Sequence, residues 1–382
     1  MTADIVKSSR GARSVRSALN LASGVSLSIV PPAVLSISSN TFPLHEQGFV
    51  AVAVTTASFA SQFATGAIIE SRLSSNRTSR FVAMPLWLTV LALIAAAAMM
   101  AFPSVPLVVC VALPFVLAAL DVGRNVSVVE GYASRELGAA VVLGLGAAGG
   151  VLAALFRQPW GLSAVAIGIA AAILIRALGA PRTAPAPDPA IRGWVLADVA
   201  LTGVAYPALN AVVLALLGPA ASVIFAAVST VSGLLAIPLN FLRLRLLKEH
   251  SVLDIVVTSC ALVFAAVVIA IAEFAGLLGL AFGSTWTIAV TVLPLLFACL
   301  WRVSILFSSI PFAALRRAGR ARLVMILRGA SSFLTLAIAI PSTAFGQIWI
   351  VFTALLLGEL VLALTCELAR RRLGIQHGET AA

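Results

Sequence analysis

Long apolar windows recur along residues 17–369, each closed by a short polar or proline-containing break. Each window is about 20 residues wide, the length an α-helix needs to cross the hydrocarbon core of a bilayer. They fall near 17–38, 47–70, 81–101, 104–120, 137–156, 160–179, 194–216, 219–242, 252–273, 286–312, 322–340 and 345–369. In lipid the backbone must satisfy its own hydrogen bonds, and a helix does this within one segment. The pattern therefore predicts an all-α polytopic membrane protein with about twelve spans.

Where the chain leaves the membrane, its charges set the orientation. Of the 25 basic residues, 23 fall in segments on one side of this layout. Arg157 alone lies on the other side, and Arg302 lies inside a span. Basic residues collect on the cytoplasmic side of membrane proteins, so both termini are expected there. Lys7, Arg10, Arg13 and Arg16 precede the first window, which is too long for a signal peptide and has no cleavage site; it reads as a retained span. The outer connections are too short to hold an external domain.

The longest cytoplasmic connection, LGAPRTAPAPDPAIRG (178–193), is rich in proline and alanine and falls near the middle of the chain. It reads as a linker. The expected organisation is a basic terminus (1–16), a six-helix half (17–179), the linker (180–193), a second half (194–369) and a tail (370–382). The halves share weak internal repeats. Ser23-Gly24-Val25 precedes Val34-Leu35 by nine residues, as Thr202-Gly203-Val204 precedes Val213-Leu214. AVTTAS (53–58) recurs as AVSTVS (227–232). Six spans is an even number, so both copies enter the membrane in the same direction. The halves are then related by a pseudo-two-fold axis along the membrane normal, a transporter plan with the substrate between the repeats.

Composition removes other classes. Hydrophobic residues make up 61% of the chain and charged residues 10%, against about 25% charged in soluble domains. The net charge of +11 is accounted for by topology, so no nucleic-acid partner is expected. Cys110, Cys260, Cys299 and Cys366 all lie in apolar segments, with neither a disulfide framework nor metal spacing. No cofactor is expected.

The candidate site rests on polar groups inside spans. Pro31-Pro32 in span 1 and Pro207 in span 7 should bend the first helix of each half. Thr55, Ser58, Ser61, Gln62 and Thr65 share one face of span 2. Such a face serves helix packing or a hydrated cavity, and Gln62 with Asn210 of span 7 points to a partly hydrated cavity between the halves. Arg302 lies near mid-span 10, where a charge costs about 3 kcal/mol or more. It must meet protein, water or an anion. Glu359 of span 12, at similar expected depth, is one partner; a cavity holding an anionic substrate group is the other. The expected substrate-binding residues are Arg302, Glu359, Gln62 and Asn210. The run RRAGRAR (316–322) reads as a topogenic loop touching anionic head groups.

The stretch LLGLAFGSTWTIAVTVLPLLFACLWRVSILFSSIPFAALRRAGRARLVMILRGASSF (277–333) resembles the equivalent region of polysaccharide flippases. These belong to the multidrug/oligosaccharidyl-lipid/polysaccharide exporter superfamily. The matching positions are Leu278-Gly279, Phe282, Trp286, Ala289, Ala314 and Gly319-Arg320. SVIFAAVSTVSGLLAIPLNFLR (222–243) is similar to that family's eighth span. The resemblance implies a flippase of polyprenyl-diphosphate-linked saccharides in the inner (plasma) membrane, with Arg302 holding the diphosphate. It also implies partners among polysaccharide biosynthesis enzymes, besides the bilayer and the anionic lipid-linked saccharide substrate, and a monomeric, non-enzymatic protein. Two alternatives stay open. A major-facilitator-type transporter should carry a G-x-x-x-D-R-x-G-R motif after span 2, where GAIIESRLSSN (66–76) fits loosely. A membrane-embedded glycan-processing enzyme should carry catalytic residues in a sizeable outer loop, which is lacking here.

The layout has a direct check. Alkaline phosphatase fused after Arg157 should be active, and fused after Arg320 inactive; the reverse activities would invert the orientation.

Overall fold

A computed structural model describes residues 27–73, 82–158, 160–178, 189–248 and 252–375. Every regular element among them is helical. The first half comprises α1 (Val30–Thr41), α2 (Leu44–Thr65, extended by one π turn, Gly66–Glu70), α3 (Leu86–Ala101), α4 (Pro106–Glu130), α5 (Ala133–Leu155) and α6 (Gly161–Ala177). The second half comprises α7 (Pro189–Gly203), α8 (Ala205–Leu217), α9 (Pro219–Ser232), α10 (Ala236–Lys248), α11 (Val252–Phe274), α12 (Leu277–Phe282), α13 (Ile288–Arg317), α14 (Ala321–Ser342) and α15 (Ile348–Arg372).

Nine helical segments among the described residues are long and apolar enough to cross a membrane. Leu86–Ala101 and Gly161–Ala177 are apolar but shorter, and α1 is the described part of span 1. Spans 7 and 8 are each built from two helices, α7–α8 and α9–α10. The basic terminus (1–16) and most of the expected linker lie outside the described residues. The chain becomes helical again at Pro189, inside the stretch read as linker.

The bends appear where proline predicts them. Proline lacks an N–H and its ring clashes with the carbonyl four residues back. Accordingly, the helix of span 1 is interrupted at Ile29, just before Pro31-Pro32, and that of span 7 at Val204, three residues before Pro207. Pro294 and Pro311, by contrast, sit within α13 without ending it.

The packing repeats between halves. α1 packs on α5, α2 on α4, α3 on α4, α4 on α6 and α5 on α6; in the second half α8 packs on α14, α9 and α10 on α13, α11 on α13, α13 on α15 and α14 on α15. Most contacts of spans 1–6 thus recur in spans 7–12; the packing of α3 on α6 is an exception, with no matching close contact between α11 and α15 among the described residues. α5 and α6 approach closely because glycines face each other. A Cβ on Gly146 would lie 2.8 Å from the Gly168 Cα, and one on Gly150 2.6 Å from the Gly161 carbonyl oxygen. Small residues are what allow lipid-embedded helices to pack this closely.

One ion pair is sealed inside the first half. Arg176 of α6 donates to both carboxylate oxygens of Glu136 on α5, at 2.9 and 2.5 Å. Its remaining arm reaches the Leu120 carbonyl of α4 at 3.2 Å. The two side chains are 0% and 2% exposed. Removing one member of such a pair strands the other charge. Glu136→Ala should therefore destabilise the fold by about 3–5 kcal/mol, read as a lowered unfolding midpoint in detergent; an unchanged midpoint refutes this.

A polar seam between the two halves

The halves meet where α2 and α1 of the first pack against α7, α8 and α9 of the second. Glycine lets the backbones close in. A Cβ on Gly48 of α2 would lie 2.8 Å from Leu214 Cδ1, and one on Gly203 at the end of α7 2.6 Å from a Phe59 ring carbon. At the middle of the seam Asn210, 0% exposed, donates to the Thr55 hydroxyl at 3.3 Å and accepts from Ser222 at 3.0 Å. Asn210 thus binds the halves together.

The polar face of span 2 divides its work. Thr55 faces the second half, whereas Ser61 and Thr65 donate, each at 2.9 Å, to one oxygen of Asp121 on α4. Gln62 is exposed, and its side-chain oxygen lies beside Gly203 of the second half. Residues that share a helix face in sequence therefore serve three different neighbours.

One end of the seam is ionic. The π turn carries one extra residue per turn and ends at Glu70, which lies 3.9 Å from Arg243 of α10 and 3.5 Å from Arg316 of α13. Arg316 also donates to Asp198 of α7 at 2.7 Å, and Arg328 of α14 donates to the same oxygen at 2.7 Å. The Arg243, Arg316 and Arg328 guanidiniums surround the Phe312 ring, 4.5, 4.8 and 5.3 Å from its centroid. Glu70 is the first half's contribution; all the other charges belong to the second.

The opposite end is neutral. Ser36 of α1 donates to the Ala281 carbonyl of α12 at 2.5 Å, and Asn40 reaches the same oxygen at 3.3 Å. The short helix α12 falls between the apolar windows of spans 9 and 10. It is positioned by the buried Glu273, which accepts from the Trp286 indole at 2.7 Å and from Thr291 at 2.6 Å. Just inside this end lies a cavity of about 250 Å³, lined by Pro32, Ala33, Val231, Ile269 and Phe282 among others.

Arg302 is the fifteenth of the thirty residues of α13 and so sits at its midpoint. Its guanidinium lies 4.1 Å from the centroid of the Trp301 ring. Its Nε is covered and has no hydrogen-bond partner. Among the described residues no carboxylate lies within ion-pairing distance. Glu359 of α15 instead accepts a short hydrogen bond from Ser308. Ser308 is six residues beyond Arg302, or about 9 Å along the helix axis. Glu359, itself the twelfth of the twenty-five residues of α15, is therefore offset from the arginine by the axial stagger of the two helices. Cation–π stacking on Trp301 supplies about 0.5–2 kcal/mol, less than the mid-membrane penalty of about 3 kcal/mol or more. The balance falls to the longer-range field of Glu359, to water or to an anion.

The sequence pattern reads Arg316 as part of a loop and singles out neither Glu70 nor Asp198. All three belong to the ionic end of the seam. The only sequence signal was the coincidence of acidic residues closing spans 2 and opening span 7 with arginines closing spans 8 and 10.

No family model matches the sequence, and no curated protein matches it. Among solved structures the chain is similar to the outward-facing conformation of a multidrug resistance MATE family transporter of the MOP superfamily, with a TM-score of 0.51 and 15% identity over 94% of each chain. It is also similar to the inward-facing conformation of such a transporter, with a TM-score of 0.46 and 16% identity over 94% of each chain. A further match is a MATE in complex with Br-NRF, with a TM-score of 0.48 and 16% identity over 94% of this chain and 96% of that one. The chain has the two-halved, all-helical membrane fold of the first of these.

The ionic end gives a prediction. Glu70→Gln removes the first half's charge from Arg243 and Arg316. Spin labels at Ser134 and Arg322, exposed at that end of either half, should then show a distance distribution broadened to longer values. An unaltered distribution would mean that Glu70 does not hold the halves together.

Proposed function

We propose that the chain is a membrane transporter working by alternating access, and within that class a flippase of polyprenyl-diphosphate-linked saccharides for cell-surface polysaccharide synthesis. The observation that carries this reading is Arg302, a cation at the middle of a membrane helix with no carboxylate paired to it. An unpaired mid-membrane cation is costly and marks a substrate pathway, and its sign favours an anionic cargo.

Alternating access is supported by the seam. Its two ends are bridged by separate contacts, Glu70 to Arg243 and Arg316 at one, Ser36 and Asn40 to Ala281 at the other. Each set can break while the other holds. Both halves are well packed internally, so they can move as bodies about the Gly48–Leu214 contact. The fold likeness is to a transporter seen outward-facing. That protein is described as a multidrug transporter; here the positive charge of Arg302 argues against a cationic drug. The setting is the inner (plasma) membrane, with the basic ends cytoplasmic and biosynthetic glycosyltransferases as neighbours.

Reconstituted into liposomes, the protein should expose lipid-linked saccharide in the opposite leaflet, measured by enzymatic or lectin access. Arg302→Ala should insert normally and reduce that rate at least about tenfold, the effect of about 1.4 kcal/mol of lost interaction. Unchanged transport at normal expression would reject the reading. Loss of folded protein rescued by Glu359→Ala would assign Arg302 a structural role with Glu359 instead.

A further inference from the structure

The cavity at the neutral end of the seam is shared by the two halves. Pro32 and Ala33 of α1 and Val151 of α5 line it from the first half; Val231 of α9, Ile269 of α11 and Phe282 of α12 line it from the second. Its walls hold it open. Ser36 and Asn40 tie α1 to the Ala281 carbonyl of α12. Phe282 stacks on Trp286 at 5.0 Å, and the Trp286 indole is fixed by Glu273.

Protein interiors keep few voids larger than a water molecule, and the cost of an empty one grows with its volume. A space of about 250 Å³ therefore calls for an occupant. Water does not suit it. A buried water needs about 2–4 polar partners, and the one polar side chain in the lining, Ser36, already gives its hydroxyl to Ala281. Apolar cavities of about 150 Å³ stay dry and take small hydrocarbons instead.

At this depth the surrounding solvent is itself hydrocarbon. Val268 of α11 lines the cavity and is 47% exposed. Its neighbours Phe264, Val267 and Ile271 are exposed too, as on a helix face turned to lipid. The cavity thus reaches the bilayer along α11.

We infer that this cavity binds the hydrocarbon chain of a bilayer phospholipid, inserted between the two halves beside α11. The lining has no charge and no free polar side chain, so it recognises the chain and not the head group. Phospholipid supplies most chains in a membrane, and mass action favours it over a minor lipid. A chain touching α1 and α5 on one side and α9, α11 and α12 on the other loses contacts when the halves part, so it favours closure of this end. The site does not depend on the transport reading above; only its effect on closure does.

The test reconstitutes the full chain into liposomes that contain a phosphatidylcholine with a photoactivatable diazirine on one acyl chain. Adducts formed on irradiation are mapped by peptide mass spectrometry. Ile269 and Phe282, 4% and 3% exposed, should be labelled along with the exposed Phe264 and Ile271, which lipid touches in any case. Ala33→Leu and Ala272→Leu place bulk inside the cavity. Each should lower labelling of Phe282 at least about tenfold, because the chain no longer fits, and leave labelling of Phe264 as in wild type. The wild-type map keeps the test decisive if either variant fails to fold. Wild-type adducts confined to the exposed residues overturn the proposal, as does Phe282 labelling that persists in both folded variants. Displacement of the Phe282 adducts by an equal amount of long-chain polyprenyl phosphate would assign the cavity to that chain and reject the phospholipid. Labelling involves no transport, so its outcome is separate from that of the flipping assay.

Discussion

The relation between the two halves depends on how Asp198 is satisfied. Its carboxylate is almost completely buried and accepts through one oxygen from both Arg316 and Arg328, so both guanidiniums are fixed within the second half before the first half is considered. A buried carboxylate without such partners would be strongly destabilising. Arg316 then has donors to spare, and Phe312 holds its plane against Arg243 and Arg328. Glu70 meets a ready-made basic surface. The inter-half contact is thus a consequence of intra-half folding, and breaking it leaves the second half's own ion pairs intact.

The halves handle their internal cations in opposite ways. Arg176 is sealed against Glu136 and the Leu120 carbonyl, with no exposed surface. Arg302 is only partly buried, and its covered Nε is left open. The first reads as scaffold, the second as a site. The difference lies in the company each keeps: a carboxylate on the adjacent helix for Arg176, the face of the Trp301 ring for Arg302.

Most of the fold was legible in the sequence because lipid imposes a strict length on each helix. The windows at 252–273 and 345–369 match α11 and α15 closely, and Pro31 and Pro207 foretold the interruptions at Ile29 and Val204. What sequence could not supply was rotation and axial offset. Ser61, Gln62 and Thr65 look like one surface until the position of α4 assigns two of them to Asp121. Arg302 and Glu359 lie near the midpoints of α13 and α15, yet Glu359 meets Ser308, because sequence windows carry no information on the stagger of two helices. Tyr206, unremarkable in sequence, gains meaning only when α8 brings its ring against Trp301.

The neutral closure at Ala281 and the ionic closure at Glu70 differ in how they respond to the surrounding solution. Dissolved salt screens charges that are partly open to solvent and leaves a hydroxyl-to-carbonyl bond nearly untouched. Glu70 and Arg243 are 22% and 26% exposed. Ionic strength therefore loosens one end of the seam and not the other. A bundle of two halves acquires from this single asymmetry a preferred direction of response to its electrolyte.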